Sequence, residues 1–299
     1  MPALDRLHRF AGVRTLAWPL AVANLVANIG IVVTGGAVRL TDSGLGCPTW
    51  PRCTEQSYVP HGELGVHGAI EFGNRMLTWV LAAVAIATFL ALWRSERARA
   101  TRLAAIIAVG VPAQGVVGGI TVLTDLNPWI VSLHLLLSMA MIGVCVLLLD
   151  ELRGPARGAT GRLRRMAWLV LGTTWIVLYL GTVVTGSGPH SGDLESRRTG
   201  LDPQLMSHVH AAAVYALLAL TLGLVLVAQR QGATLVRNAA GALLALELAQ
   251  GLLGFVQYFT DLPEILVGIH MLGAALISAA VTWTLLSTGA RTSAEEQRV

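Results

Sequence analysis

Apolar residues come in long, nearly unbroken runs along this chain, separated by short polar stretches rich in arginine. A helix needs roughly 20 mostly apolar residues to cross a hydrocarbon layer of about 30 Å. Eight runs reach that length, at about 15–38, 68–93, 103–124, 129–150, 164–187, 205–228, 234–258 and 265–287. Strands of a membrane barrel would alternate apolar and polar residues over about ten positions, and stretches such as 81–93 or 239–253 do not. The pattern predicts an all-α membrane protein with eight transmembrane helices. The first run is full length and lacks a small-residue cleavage signal, so it reads as helix one rather than a signal peptide.

Composition agrees. The 299 residues are 54% hydrophobic and 13% charged, with a mean hydropathy of +0.65, which excludes an ordinary soluble domain. Lysine is absent, and the arginines cluster as Arg6/Arg9/Arg14, Arg94/Arg97/Arg99/Arg102, Arg153/Arg157/Arg162/Arg164/Arg165, Arg230/Arg237 and Arg291/Arg298. All five clusters fall on one side of an eight-helix chain. The opposite loops hold only Arg39, Arg52, Arg197 and Arg198, mixed with acids. The positive-inside rule then predicts both termini in the cytoplasm. The basic balance thus reports topology, and no nucleic-acid partner is expected, because the arginines hug membrane borders without interleaved aromatics. The loop 154–161 and the tail 288–299 read as solvated, with no assignable chemistry.

An internal repeat organises the rest. Gln114-Gly115-x-x-Gly118, Thr124-Asp125-Leu126 and His134 recur 136 positions on as Gln250-Gly251-x-x-Gly254, Thr260-Asp261-Leu262 and His270. The same offset carries Asn74 to His210, and Val33-Thr34-Gly35 recurs as Val184-Thr185-Gly186 at an offset of 151. The expected organisation is two parallel four-helix-bundle repeats, 1–152 and 153–299, related by a pseudo-twofold along the membrane normal.

Three of the eight histidines, His134, His210 and His270, fall about five residues inside one end of their helices, in a common layer. An ionisable side chain inside a membrane helix is a functional candidate, weighed against a plain interhelical hydrogen bond. His210 and His270 come from the second and fourth helices of one half at matching depth, the arrangement that holds a haem iron from both faces. Zinc competes for paired imidazoles, but no third or fourth ligand is apparent in that layer. In the first half His134 has no such mate, because Asn74 stands where His210 would be. Helix two instead carries Glu71, Asn74 and Arg75 on one face. A carboxylate in one half only suits a reaction site, while an i,i+4 ion pair between Glu71 and Arg75 is the purely structural alternative. His67, two turns before Asn74, could replace it only if the helix began differently.

Cys47 and Cys53 lie in the long first loop on the side predicted to face an oxidising compartment, so a disulfide is expected, either as a staple or as a redox pair. Cys145 reads as a small apolar residue.

The run Thr34-Gly35-Gly36-Ala37-Val38-Arg39-Leu40-Thr41-Asp42-Ser43-Gly44-Leu45-Gly46-Cys47-Pro48-Thr49-Trp50-Pro51 resembles the signature of the haem A synthase family. So does Glu71-x-x-x-Arg75, and the similarity extends over both halves. The resemblance implies an oxidoreductase of the cell membrane that converts the C8 methyl group of haem O to a formyl group through hydroxylated intermediates, for cytochrome oxidase assembly. It implies haem b as cofactor on His210 and His270, haem O as substrate against His134, and Glu71 as the functional carboxylate with His134. Arg39 and Arg75 are candidate partners of haem propionates, against plain snorkelling at the membrane border. Candidate partners are haem O synthase, a ferredoxin-like electron donor and a second copy of the chain, besides lipid. Where the family commonly shows Glu-x-x-His-Arg, this chain has Asn74, which implies an open sixth position on the substrate iron. Competing readings are a dihaem b-type electron-transfer protein, which would want histidine pairs in both halves, and a non-catalytic haem transporter.

Overall fold

The computed structural model describes residues 2–93, 95–154 and 161–289, with side chains from Leu16 onward. Arg94, Arg157, Arg291, Arg298, the side chains of Arg6, Arg9 and Arg14, and most of the loop and tail expected to be solvated lie outside the described residues. Within them the chain forms eight α-helices and no strand: α1 Pro2–Leu40, α2 Gly65–Leu92, α3 Ala98–Leu123, α4 Pro128–Arg153, α5 Gly161–Ser187, α6 Pro203–Arg230, α7 Thr234–Phe259 and α8 Glu264–Leu286. Each contains a span long and apolar enough to cross a membrane, with mean hydropathy between 1.7 and 2.4. The helices match the eight apolar runs to within a few residues, except that α1 reaches back to Pro2 and α3 starts five residues early, at Ala98.

Local chemistry sets the helix starts. Asn127 and Asp202 each accept a hydrogen bond from a first-turn backbone N–H, of Trp129 and Leu205, and each is followed by proline at the first helical position. Both features satisfy or remove amide donors that a helix N-terminus leaves free. The two Thr-Asp-Leu turns share an uncommon backbone: Asp125 and Leu126 have φ of 50° and 54°, and Asp261 and Leu262 have 56° and 57°. Aspartate tolerates this left-handed region, but leucine does so at a cost of order 1 kcal/mol. Burial of Leu126 offsets that cost.

One apolar cluster is drawn entirely from α1–α4 and another entirely from α5–α8. A third, around Val32, Met139, Ile142 and Ala275, joins α1, α4 and α8 with Trp175 and Leu178 of α5. Thus α1, α4, α5 and α8 meet in the middle, and α2, α3, α6 and α7 lie outside them. Across this seam Ser278 donates to the Met139 carbonyl at 2.9 Å. The thioether of Met271 fills the notch left by Gly36. At one end of the seam the Arg153 guanidinium lies 5.3 Å from the Trp18 ring and 4.8 Å from the Trp283 ring.

At the opposite end the connecting loops bind one another. Cys47 and Cys53 form a disulfide. Gly44 N–H donates to the Gly192 carbonyl at 2.8 Å, Arg39 Nε donates to the His190 carbonyl at 2.6 Å, and His190 Nε2 reaches the Leu262 carbonyl at 2.9 Å. Gly46 packs against the backbone of His67 and Gly68, where a Cβ would collide. Backbone cannot swing aside, so Gly46→Ala should cost about 1–3 kcal/mol, the usual range for overpacking. A lowered Tm of the detergent-solubilised protein checks this, and an unchanged Tm would mean the loop shifts freely.

Candidate functional site

His134, His210 and His270 sit seven or eight residues into α4, α6 and α8, about 10 Å along each axis. Each ring rests on a glycine of the preceding helix: His134 on Gly118, His210 on Gly181 and His270 on Gly254. Small residues let the helices approach closely enough for this in an apolar medium. The Nδ1 of all three is buried and carries no hydrogen bond, although the Val177 carbonyl interacts with the His210 ring. Buried polar atoms are normally partnered, so the unpartnered Nδ1 atoms of these three imidazoles on the bundle helices fit a role in holding a haem. His210 and His270 stand at matching depth in α6 and α8, the second and fourth helices of one half. Among the described residues no group of three or more His, Cys, Asp or Glu could hold a metal ion alone, which leaves zinc without a donor set.

The first half is built differently. Asn74 is committed to α1, its Oδ1 accepting from Thr34 Oγ1 at 2.8 Å. His67 falls in the first turn of α2, exposed, with Nδ1 3.0 Å from Ser43 Oγ. It lines an open mouth of about 980 Å³ together with Asp42, Glu63, Asp125, Asp193 and Glu195. The earlier helix start does not make it a substitute for Asn74.

Glu71 is 5% exposed and fully engaged. Its Oε2 accepts from Cys47 N–H at 2.5 Å, and its Oε1 accepts from Arg75 Nε at 3.1 Å and pairs with the same guanidinium a second time. Arg75 also donates to the carbonyls of Thr49, Arg52 and Cys47 at 3.0–3.2 Å. The pair therefore grips the disulfide loop as well as forming the i,i+4 bridge. Arg39 donates to the carbonyls of Thr185 and His190 and lines a cavity of about 40 Å³ with Ser132, Leu135, Thr182, Thr185 and Met271.

The sequence reading passed over some buried polar groups. Thr221 on α6 donates to Glu247 Oε1 at 3.0 Å, with Glu247 only 2% exposed and its Oε2 unpartnered. Asn24 on α1 bonds to Thr88 on α2, and Asn28 reaches Cys145 Sγ at 3.6 Å. A single polar residue inside an apolar run was the available signal.

The model of the COX15-CtaA family, described as cytochrome oxidase assembly protein, matches residues 18–189, from α1 into the loop after α5. The chain belongs to this family of haem A synthases. A haem A synthase of Bradyrhizobium sp. (strain ORS 278) is 30% identical over 87% of each chain. That of Bradyrhizobium sp. (strain BTAi1 / ATCC BAA-1182) is also 30% identical, over 62% of this chain and 60% of its own length. The haem A synthase of Geobacillus thermodenitrificans is 34% identical over a shorter stretch, 44% of this chain and 41% of its own. Family membership and eight apolar helices make this a multi-pass membrane protein.

Proposed function

We propose that this chain is a haem A synthase that oxidises the C8 methyl group of haem O to a formyl group. The observation that carries the reading is the asymmetry of the histidine layer: α6 and α8 carry His210 and His270 at matching depth in one half, while the other half has His134 and, at the position matching His210, Asn74 bonded to Thr34 of α1. The matched turns, glycines and glutamines 136 positions apart support two parallel repeats about a pseudo-twofold, divided near residue 152. The arginine distribution supports cytoplasmic termini, with the histidine layer toward the outer leaflet.

In this reading His210 and His270 hold haem b, which supplies one-electron chemistry when bound. His134 holds the iron of the substrate, haem O. Asn74 keeps its side chain on Thr34 and so would not supply a second protein ligand to the substrate. Two successive two-electron oxidations of the methyl carbon, each inserting one oxygen atom either from dioxygen, with two electrons and two protons reducing its other atom to water, or from water, with two electrons and two protons passed to an external acceptor, give a geminal diol that loses water to leave the formyl group. Glu71, fixed by Cys47 N–H and Arg75, sets the loop that closes the disulfide end and is the carboxylate for proton movement there. Arg39 is the cation for a propionate; Arg75 could serve only by giving up one of its carbonyls.

The test is expression in a host that makes haem O, with chromatography of acid-extracted haems. A formyl or hydroxymethyl haem from the wild type, absent with His134→Ala, is the expected result. Two haem b per chain and no oxidised haem would instead indicate the dihaem electron carrier.

A further inference from the structure

Beyond marking the repeat, the glutamines of the Gln-Gly-x-x-Gly motif have no role in the reading above, yet each lies against a histidine of the layer. On α7, Gln250 Nε2 donates to the backbone carbonyl of His270 at 2.8 Å. On α3, Gln114 Nε2 reaches the His134 carbonyl at 3.3 Å and Ser138 Oγ at 2.6 Å. Four residues further along each helix, on the same face, a glycine meets the ring of that same histidine. A Cβ built on Gly118 would lie 3.4 Å from His134 Cε1, and one on Gly254 would lie 3.8 Å from His270 Cε1.

We infer that Gln114 and Gln250, by bonding to the backbone carbonyls of His134 and His270, are clamps that position these two histidines, with Gly118 and Gly254 leaving the space their rings occupy. The inference rests on the haem reading above. A helical carbonyl has a second lone pair beyond its i+4 bond, so it accepts the amide without losing the helix. In apolar surroundings that amide has few alternatives, because leaving it unbonded is costly. The glutamine holds the histidine backbone while the glycine leaves room beside the ring, so the rotation of the histidine helix is set by one neighbouring face.

The clamps differ in their second contact. The Gln250 amide sits where a side chain on Gly273 would be, three residues after His270 on the same face of α8. The position 136 earlier is Leu137, which offers no notch, and Gln114 turns to Ser138, leaving its Oε1 buried and unpartnered. The haem b side is locked by shape, and the substrate side by a hydroxyl. His210 rests on Gly181 without such a glutamine.

Gln250→Met and Gln114→Met keep length and remove the amide. In full-length protein, Gln250→Met should broaden the low-spin bis-histidine signal in electron paramagnetic resonance, add a high-spin fraction, and lower haem b retention through purification about threefold, the size of an average interhelical polar contact in membranes. Gln114→Met should leave that signal intact and weaken haem O retention by a similar factor. Ser278→Ala, which loses an interhelical bond far from the rings, should change neither. Should Gln250→Met not accumulate, Gly254→Leu displaces the ring while sparing the amide and should give the same high-spin fraction. A wild-type spectrum in either Gln250→Met or Gly254→Leu overturns the clamp, as does the same disturbance in Ser278→Ala. A wild type with no low-spin haem overturns the underlying reading, and the clamp with it.

Discussion

The His210→Ala protein should leave the membrane without its low-spin haem b, and His270→Ala should do the same, because in the proposed reading each would remove one of the two imidazoles that hold it. Loss of groups that merely orient a metal ligand already costs 10–100-fold, so product formation should fall by about 100-fold or more. His134→Ala should behave oppositely in the spectrum, keeping the low-spin haem while losing the oxidised product. Optical spectra and haem extraction from the three proteins check this. Product from His134→Ala at the wild-type level would remove that residue from the substrate site.

The second large effect concerns Glu71. Its carboxylate holds Cys47 N–H and the Arg75 guanidinium, and Arg75 in turn holds three loop carbonyls. Glu71→Ala leaves that guanidinium without its counter-charge in a largely buried place. Breaking such a pair costs about 3–5 kcal/mol when fully buried, and Arg75 is 18% exposed, so the lower end is expected. Glu71→Gln keeps an acceptor for Cys47 N–H but removes the same counter-charge, so it should recover only part of the thermal stability. If activity returns with stability in Glu71→Gln, the residue positions the loop. If stability returns while product stays absent, the charge itself takes part in the reaction.

Helix number and type were readable because each apolar run is long enough to span a membrane and too regular for anything but a helix. The start of α2 was less so, since Gly62, Glu63 and Gly65 look like loop residues, and the short turn at Gly62–Leu64 feeds directly into the helix. The histidine layer could be found by depth alone, and the unusual Asn74 by comparing halves. Pairings between helices distant in sequence left no local trace. Arg39 looked like a border cation, and nothing near it announces acceptors at Thr185 and His190. Glu247 is visible as an acid inside an apolar run, but its partner Thr221 is one of several ordinary helix threonines. Glu71 and Arg75 were legible as an i,i+4 pair; their hold on the loop carbonyls was not, because backbone groups carry no sequence signature.

The seam between the halves also bears on movement. Along α8, Met271 is seated against Gly36, Ser278 is bonded to the Met139 carbonyl, and Trp283 stacks on Arg153. The twelve residues from the first to the last cover about 18 Å at 1.5 Å per residue, and beyond the first Arg39 and Gly44 tie into the second half's loop. A carrier of the rocking kind must let its halves tilt apart at one face while they close at the other. Fastened at each of these levels, the two bundles resist such a tilt.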